Sequence, residues 1–148
     1  MIKFRTLRLS DQPKIHRLRS KYIKNLRANR STLIGQLIWF LKLRYSHNDY
    51  YAIDIDGIFI GCIGFCKPSY VFGRRTNTVE ISVITAGYFI FSNEILNMYE
   101  KIARERGFNT IVSEVYQWDN IKKQAFLANQ YINFAISGVD SYYKKEIR

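Results

Sequence analysis

Apolar and polar residues follow two periods along this chain, and their order predicts a mixed α/β fold. Residues 2–9 alternate as a half-buried strand does. Residues 50–65 form two alternating runs on either side of Asp56-Gly57, which is a strong signal for a β-hairpin. Later segments with the apolar, β-branched or alternating character of strands are 78–84, 108–118, 132–137 and 141–147.

Helical periodicity appears in four segments between these strands. The first helix follows Ser10-Asp11, which offers an N-cap, and its apolar residues recur at helical spacing as far as Leu26. The third runs from about Ser92 to Arg106 and the fourth over residues 120–130.

The second helix is the least typical of the four. Its predicted apolar face is Leu33, Ile34, Leu37, Ile38 and Leu41. Trp39 and Phe40 make the segment apolar nearly all round. We therefore expect this helix either to be deeply buried or to line a pocket on one side.

The predicted element order is β-α-α-β-β-β-α-β-α-β-β, over residues 1–148. This order predicts a single mixed α/β domain with a central twisted sheet of about seven strands and four flanking helices. The sequence contains no repeats, linkers or low-complexity segments.

Composition narrows the class of protein. The chain has 148 residues, of which 47% are hydrophobic and 16% aromatic, as expected for a folded domain with a real core. No apolar run reaches the ~20 residues that a membrane helix needs, and the first residues lack the apolar core of a signal peptide. We therefore expect a cytoplasmic protein with no membrane partner.

Cysteine and histidine usage gives no support for a metal site. Cys62 and Cys66 are four residues apart on a predicted strand, so both point to one face and are expected to be reduced packing residues. His16 and His47 have no cysteine or carboxylate at ligand spacing, so no metal is predicted.

Positive charge is concentrated at the start of the chain. The formal net charge is +11, and residues 1–30 contain ten Lys or Arg against one acid, Asp11. Such a surface attracts anions, and the partner could be nucleic acid, an anionic cofactor, an acidic substrate or an acidic protein. A solvated helix face explains the same charges without any partner.

Several short motifs, taken in order, resemble the GNAT superfamily of acyl-CoA-dependent N-acyltransferases. They are IKFRTLRLSDQPKIHRLR, DGIFIGCIGF, VEISVI, EKIARERGFNTIVSEV, WDNIKKQAF and DSYYKKEI, which together span nearly the whole chain. The resemblance implies the GNAT fold and a reaction in which acetyl-CoA, or another acyl-CoA, acylates an amine.

The resemblance also implies roles for particular residues. Glu80 or Glu114 would be the general base, because each matches a strand glutamate that some family members use. Desolvation beside apolar neighbours would raise the pKa of such a glutamate. The residues implied to bind the cofactor are Val83 and Ile84 through their backbone, Gly87, Ser92 and Asn93 at the phosphates, and Asn120 on the pantetheine arm.

Two positions depart from the family pattern. Residues 87–92, GYFIFS, stand where the family has a glycine-rich loop that lets its backbone approach the phosphates. Leu127 stands where the family commonly has a tyrosine that protonates the leaving thiolate, and Tyr131 is one turn too far along to replace it.

Three functions therefore remain open from the sequence. The first is an N-acyltransferase whose acceptor amine has an anionic part and a flat or apolar part, with an acceptor site formed by Tyr22, Trp39, Arg74 and Arg75. The two arginines could contact either the acceptor or the phosphates of the cofactor. The second is a non-catalytic module in which Tyr88, Phe89 and Phe91 fill the cofactor cleft. The third is nucleic-acid binding through residues 3–30. A monomer and a homodimer are both compatible with the sequence.

Overall fold

The computed structural model describes residues 1–22, 34–35, 37–38, 40–41, 49–69, 72, 77–85 and 92–148. Its seven strands are β1 (Ile2–Thr6), β2 (Asp49–Ile55), β3 (Ile58–Cys66), β4 (Thr78–Thr85), β5 (Thr110–Tyr116), β6 (Ile132–Ser137) and β7 (Asp140–Glu146). The helices with described bounds are α1 (Gln12–Tyr22), α2 (Asn93–Glu105) and α3 (Asn120–Ala128). The described residues between 34 and 41 are also helical.

The seven strands form one mixed sheet in the order β1-β2-β3-β4-β5-β7-β6. β4 and β5 run parallel, whereas β1–β2, β2–β3, β5–β7 and β6–β7 are antiparallel. The predicted mixed α/β class with seven strands is confirmed. Within the described residues, no helix is both long and apolar enough to cross a membrane.

Residue contacts divide the chain into two compact units. The first unit comprises Met1–Cys66 and Ser82–Gly87, and the second comprises Lys67–Ile81 and Tyr88–Arg148. The boundary crosses β4, so each unit contains part of that strand. One domain over residues 1–148 stays a prediction.

The first unit has a small apolar core and a buried ion-pair network. Leu7, Ile15, Phe40, Ala52 and Cys62 form the core, and Cys66 is also buried and forms no disulfide. Arg5 donates from both terminal nitrogens to the carboxylate of Asp11, at 2.9 Å each, and from Nε to Asp54 at 2.6 Å. These bonds raise the pKa of Arg5, so its charge is permanent.

The predicted hairpin lies in the first unit. Asp56 and Gly57 both adopt positive φ values, 49° and 82°, at the turn between β2 and β3. Aspartate and glycine tolerate this left-handed region better than other residues, which explains the turn signal in the sequence.

The second helix differs from its prediction in one respect. Of its predicted apolar face, Ile34, Leu37, Ile38 and Leu41 are exposed, whereas Phe40 is buried in the core of the first unit. The predicted face was therefore wrong. A segment that is apolar on nearly all sides has no polar face to orient it, so periodicity alone did not identify which side packs inward.

In the second unit, α2 packs through an apolar stripe and one buried acid. Ile95, Leu96, Tyr99 and Ala103 are all fully buried. Glu100 lies on the same helix and is only 3% exposed. Its carboxylate accepts bonds from Lys145 of β7 at 2.8 Å and pairs with Arg104 at 3.5 Å, which offsets its loss of hydration.

Candidate active site

The parallel pair β4–β5 carries both candidate bases. The register pairs Thr78 with Thr110, Val79 with Ile111 and Glu80 with Val112. At the next residue, the Ile81 carbonyl accepts a bond at 3.5 Å from the side-chain hydroxyl of Ser113, which is also buried. Glu80 therefore lies at the last described backbone pairing between these strands.

Glu80 is a partly buried carboxylate beside apolar side chains. Its register partner Val112 packs with Phe72 and Tyr142 in a buried apolar cluster. The backbone N–H of Ser69 donates to its Oε2 at 3.1 Å. Burial raises the pKa of Glu80 to about 7, because desolvation outweighs the stabilising bond from Ser69.

Glu114 lies on the same face of β5 as Val112, two residues further along. The antiparallel register pairs Glu114 with Tyr142 and Tyr116 with Asp140, so Asp140 is a diagonal neighbour on that face. The carboxyl groups of Glu114 and Asp140 form a hydrogen bond. Partial desolvation, followed by the charge and hydrogen bond of Asp140, raises the pKa of Glu114. Two carboxyls can share a hydrogen bond only when one is protonated.

Sequence reasoning identified Glu80 and Glu114 but missed Asp140 and Ser69. Asp140 precedes a predicted strand and was interpreted only as part of a family motif. Its proximity to Glu114 depends on the β5–β7 register, which no local pattern specifies. Ser69 follows Pro68 in a loop and contacts Glu80 through its backbone, so its side-chain type gives no signal.

The N-terminus of α2 has the polar, exposed character that an anion site needs. Ser92 is the N-cap, and its Oγ accepts a bond from Ile95 N at 3.4 Å. Asn93 and Glu94 follow in the first turn and are both exposed. The first N–H groups of a helix have no partner within it, and the helix dipole favours negative charge there. The carboxylate of Glu94 opposes that preference.

The start of α3 is similarly capped. Asp119 is the N-cap and accepts a bond from Lys122 N at 3.1 Å, and Asn120 is the first, exposed residue of the helix. Leu127 is 45% exposed, whereas Tyr131 is only 2% exposed and packs edge-on against Phe126. The tyrosine next along the chain is therefore buried rather than presented to a substrate.

Several predicted site residues fall wholly or partly outside the described part of the chain. Gly87, Trp39, Arg74 and Arg75 lie outside it, as do Tyr88, Phe89 and Phe91. Tyr22 ends α1, and Val83 and Ile84 belong to β4, as described backbone positions. Their predicted roles stay predictions. Among the described residues, no three His, Cys, Asp or Glu side chains are grouped to hold a metal ion.

No model of a known protein family matches the chain, and no curated protein matches it by sequence. Solved structures do match. An N-acetyltransferase from Staphylococcus aureus Mu50 is 14% identical, with a TM-score of 0.71, over 100% of this chain and 99% of the other. The putative acetyltransferase yncA from Salmonella typhimurium, solved with its cofactor acetyl-CoA, is 14% identical, with a TM-score of 0.70, over 99% and 94%.

A third similar structure is a chimera of the spermidine N-acetyltransferase SpeG from Vibrio cholerae and hSSAT. It is 13% identical, with a TM-score of 0.73, over 98% of this chain and 95% of the other. Identities this low establish architecture rather than activity. The full-length match in each case, together with the parallel β4–β5 pair, shows that this chain has the fold of the GNAT superfamily.

Proposed function

We propose that this protein is an N-acyltransferase that moves an acyl group from acyl-CoA, most simply acetyl-CoA, to an amine. Similar structures over the whole chain are N-acetyltransferases, one of them solved with acetyl-CoA and another named for spermidine. The observation that carries the proposal is Glu80. It is a carboxylate on β4 with a pKa of about 7, which suits a base that takes a proton from an amine.

The N-terminus of α2 fits the phosphates of coenzyme A. The helix has 13 residues, its N-cap Ser92 accepts a bond from Ile95 N, and Asn93 and Glu94 of its first turn are exposed. Because Gly87 is the one glycine in residues 87–92, binding relies on backbone and cap groups. The residues proposed to hold the cofactor are Gly87, Ser92 and Asn93 at the phosphates, Val83 and Ile84 at the pantetheine amides, and Asn120.

Glu80 is the proposed general base. Acyl-CoA supplies a thioester carbonyl activated for attack. The Ser69 amide holds the Glu80 carboxylate at 3.1 Å, which leaves the second carboxylate oxygen for the acceptor's proton, directly or through water. As the acceptor nitrogen bonds to the acyl carbon, the carbon–sulfur bond breaks. Leu127 has no proton to give, so the sulfur is protonated by solvent.

Glu114 is the less favoured base, since it is more exposed and shares a hydrogen bond with Asp140. We propose that it assists by passing the proton from Glu80 towards solvent. The acceptor site is proposed to involve Tyr22, Trp39, Arg74 and Arg75, which suit an amine with an anionic part and a flat or apolar part.

Calorimetry with acetyl-CoA is the first test, and the absence of binding at high micromolar concentration would overturn the proposal. A thiol-release assay against a panel of polyamines, amino sugars and peptide N-termini then measures acyl transfer. Because protonated Glu80 cannot accept a proton, kcat should fall as the pH drops below about 7.

The matched variants for this assay are Glu80→Gln and Glu105→Gln, the second on an exposed glutamate of α2. We expect Glu80→Gln to lower kcat about 100-fold, within the usual range for a lost general base. Glu105→Gln should leave kcat unchanged. An unchanged kcat in Glu80→Gln would rule out Glu80 as the base while leaving the acyl-transfer reaction itself intact.

A further inference from the structure

A hydrogen bond in the first unit links two hydroxyl groups across the sheet. Tyr50 on β2 donates from its hydroxyl to Oγ of Ser82 on β4, at 3.0 Å. The intervening strand is β3, and the β2–β3 register places Gly64 directly opposite Tyr50. The tyrosine side chain therefore passes over β3 at Gly64 to reach the next strand.

Gly64 is the residue that makes this contact possible. A Cβ atom built at Gly64 would lie 2.6 Å from Cε1 and 2.8 Å from Cζ of the Tyr50 ring. It would also lie 2.9 Å from Sγ of Cys66. Real Cβ atoms do not approach ring carbons so closely, so any other residue here would displace the ring from Ser82.

The hydroxyl of Tyr50 has two hydrogen-bonding neighbours, Ser82 and Cys66. Burial, reinforced by Cys66, raises the pKa of Tyr50, so the hydroxyl stays protonated at neutral pH. The ring packs against the core cluster of the first unit, which limits its rotation. Because Ser82 accepts the Tyr50 proton, the Ser82 hydroxyl keeps its own proton for a second acceptor.

The position of Ser82 along β4 suggests what that acceptor is. Ser82 follows Glu80 by two residues on one strand, so both side chains leave the same face of β4. Val83 and Ile84, proposed to bind the pantetheine amides, come next, and the proposed phosphate site lies beyond the end of the strand. On the proposed function, the thioester end of the cofactor lies on the Glu80 side of Val83, beside Ser82.

We propose that Ser82 is a catalytic residue, whose hydroxyl donates a hydrogen bond to the thioester carbonyl oxygen as the amine adds to the acyl carbon. Tyr50 is its positioning residue, and the missing side chain at Gly64 lets the Tyr50 ring reach Ser82. This inference rests on the proposed acyltransferase function. A donor held in place before reaction stabilises the developing negative charge without reorganisation. No covalent bond to Ser82 forms or breaks.

Kinetics of three variants test the proposal. Ser82→Ala should lower kcat about 100-fold, as loss of an oxyanion donor does, and change the Kd for acetyl-CoA far less, because the hydrogen bond strengthens as charge develops. Tyr50→Phe keeps the ring and should lower kcat about tenfold, because an unpositioned serine still donates part of the time. The double variant should be no slower than Ser82→Ala, since both changes remove one interaction. Additive losses would overturn the coupling between the two residues.

Two further variants separate this effect from damage to the fold. Tyr51→Phe removes a tyrosine hydroxyl from the adjacent position of β2, whose ring packs edge-on against Phe65, and should leave kcat unchanged. Gly64→Ala should reproduce Tyr50→Phe, because the added methyl group displaces the ring. Wild-type kcat in Gly64→Ala would contradict the positioning role.

An infrared measurement reports on the bond itself. Acetyl-CoA labelled with ¹³C at the carbonyl should show a lower stretching frequency when bound to the wild type than when bound to Ser82→Ala. If the wild type fails to bind acetyl-CoA by calorimetry, the proposed function fails and this inference fails with it. If it binds and transfers acetyl groups, but frequency and kcat are unchanged in Ser82→Ala, only the inference about Ser82 is overturned.

Discussion

Replacing Glu80 with glutamine should stabilise this protein above pH 7 and leave it nearly unchanged in mild acid. The carboxyl has an ordinary pKa of 4.5 when hydrated and about 7 in the fold. Between those values the folded state binds more protons than the unfolded state, so the free energy of unfolding falls as the pH rises. The loss of stability caused by ionised Glu80 is complete above pH 7 and absent below about pH 4.5.

The size of the effect follows from the same shift. A difference of 7 − 4.5 = 2.5 pKa units corresponds to an upper limit of about 3.4 kcal/mol. Solvent reaches part of this carboxyl and screens it, so we expect about 1.5 kcal/mol at pH 8.5. Glutamine keeps an oxygen that accepts the bond from the Ser69 N–H. The gain in the free energy of unfolding therefore comes from removing the negative charge. It corresponds to a rise in Tm of about 4 °C for a chain of this size.

Urea denaturation at pH 5 and pH 8.5 measures this difference directly. Glu105→Gln is the control, since it removes one negative charge from an exposed site of α2. We expect the gain of Glu80→Gln to be largest at pH 8.5 and mostly lost at pH 5. An equal gain at both pH values, or a loss of stability at pH 8.5, would refute the idea that folding desolvates this carboxylate.

Other parts of the molecule give three more predictions. Arg5→Met leaves the buried carboxylate of Asp11 without its bidentate partner and should cost about 3–5 kcal/mol, measured by urea denaturation at pH 7. Asp140→Asn removes a negative charge from beside Glu114, so the Glu114 pKa should fall in a carboxyl-carbon NMR titration; an unchanged value would contradict their hydrogen bond. Asp119→Ala removes the N-cap of α3 and should cost about 1 kcal/mol, whereas Asp119→Asn should retain most of the stability.

Local signals in the sequence predicted the elements well because each has a local physical cause. Asp56-Gly57 predicted the hairpin because these residues tolerate positive φ, and both adopt it. Ser92 and Asp119 predicted helix starts because their side chains accept bonds from N–H groups three residues on, which both do. Such features depend on a few consecutive residues and no tertiary contact.

Contacts between residues on different strands could not be predicted from the same local signals. The proximity of Asp140 to Glu114 follows from strand register, and the bond from Tyr50 to Ser82 spans three strands. Gly64 was interpreted only as part of a hairpin motif, although its missing side chain is what lets that bond form. Periodicity identifies which face of a strand a residue occupies but not its neighbour on the next strand.

The buried acids of this protein differ in their partners, and that difference points to the candidate site. Asp11 and Glu100 are nearly inaccessible, and each is paired with arginine or lysine, as a structural carboxylate must be. Glu80 instead accepts a backbone amide and has Glu114, another acid, as its charged neighbour. That environment destabilises the ionised form and therefore the fold. A group that lowers stability and has a pKa near neutral suits the general-base role that we propose for Glu80.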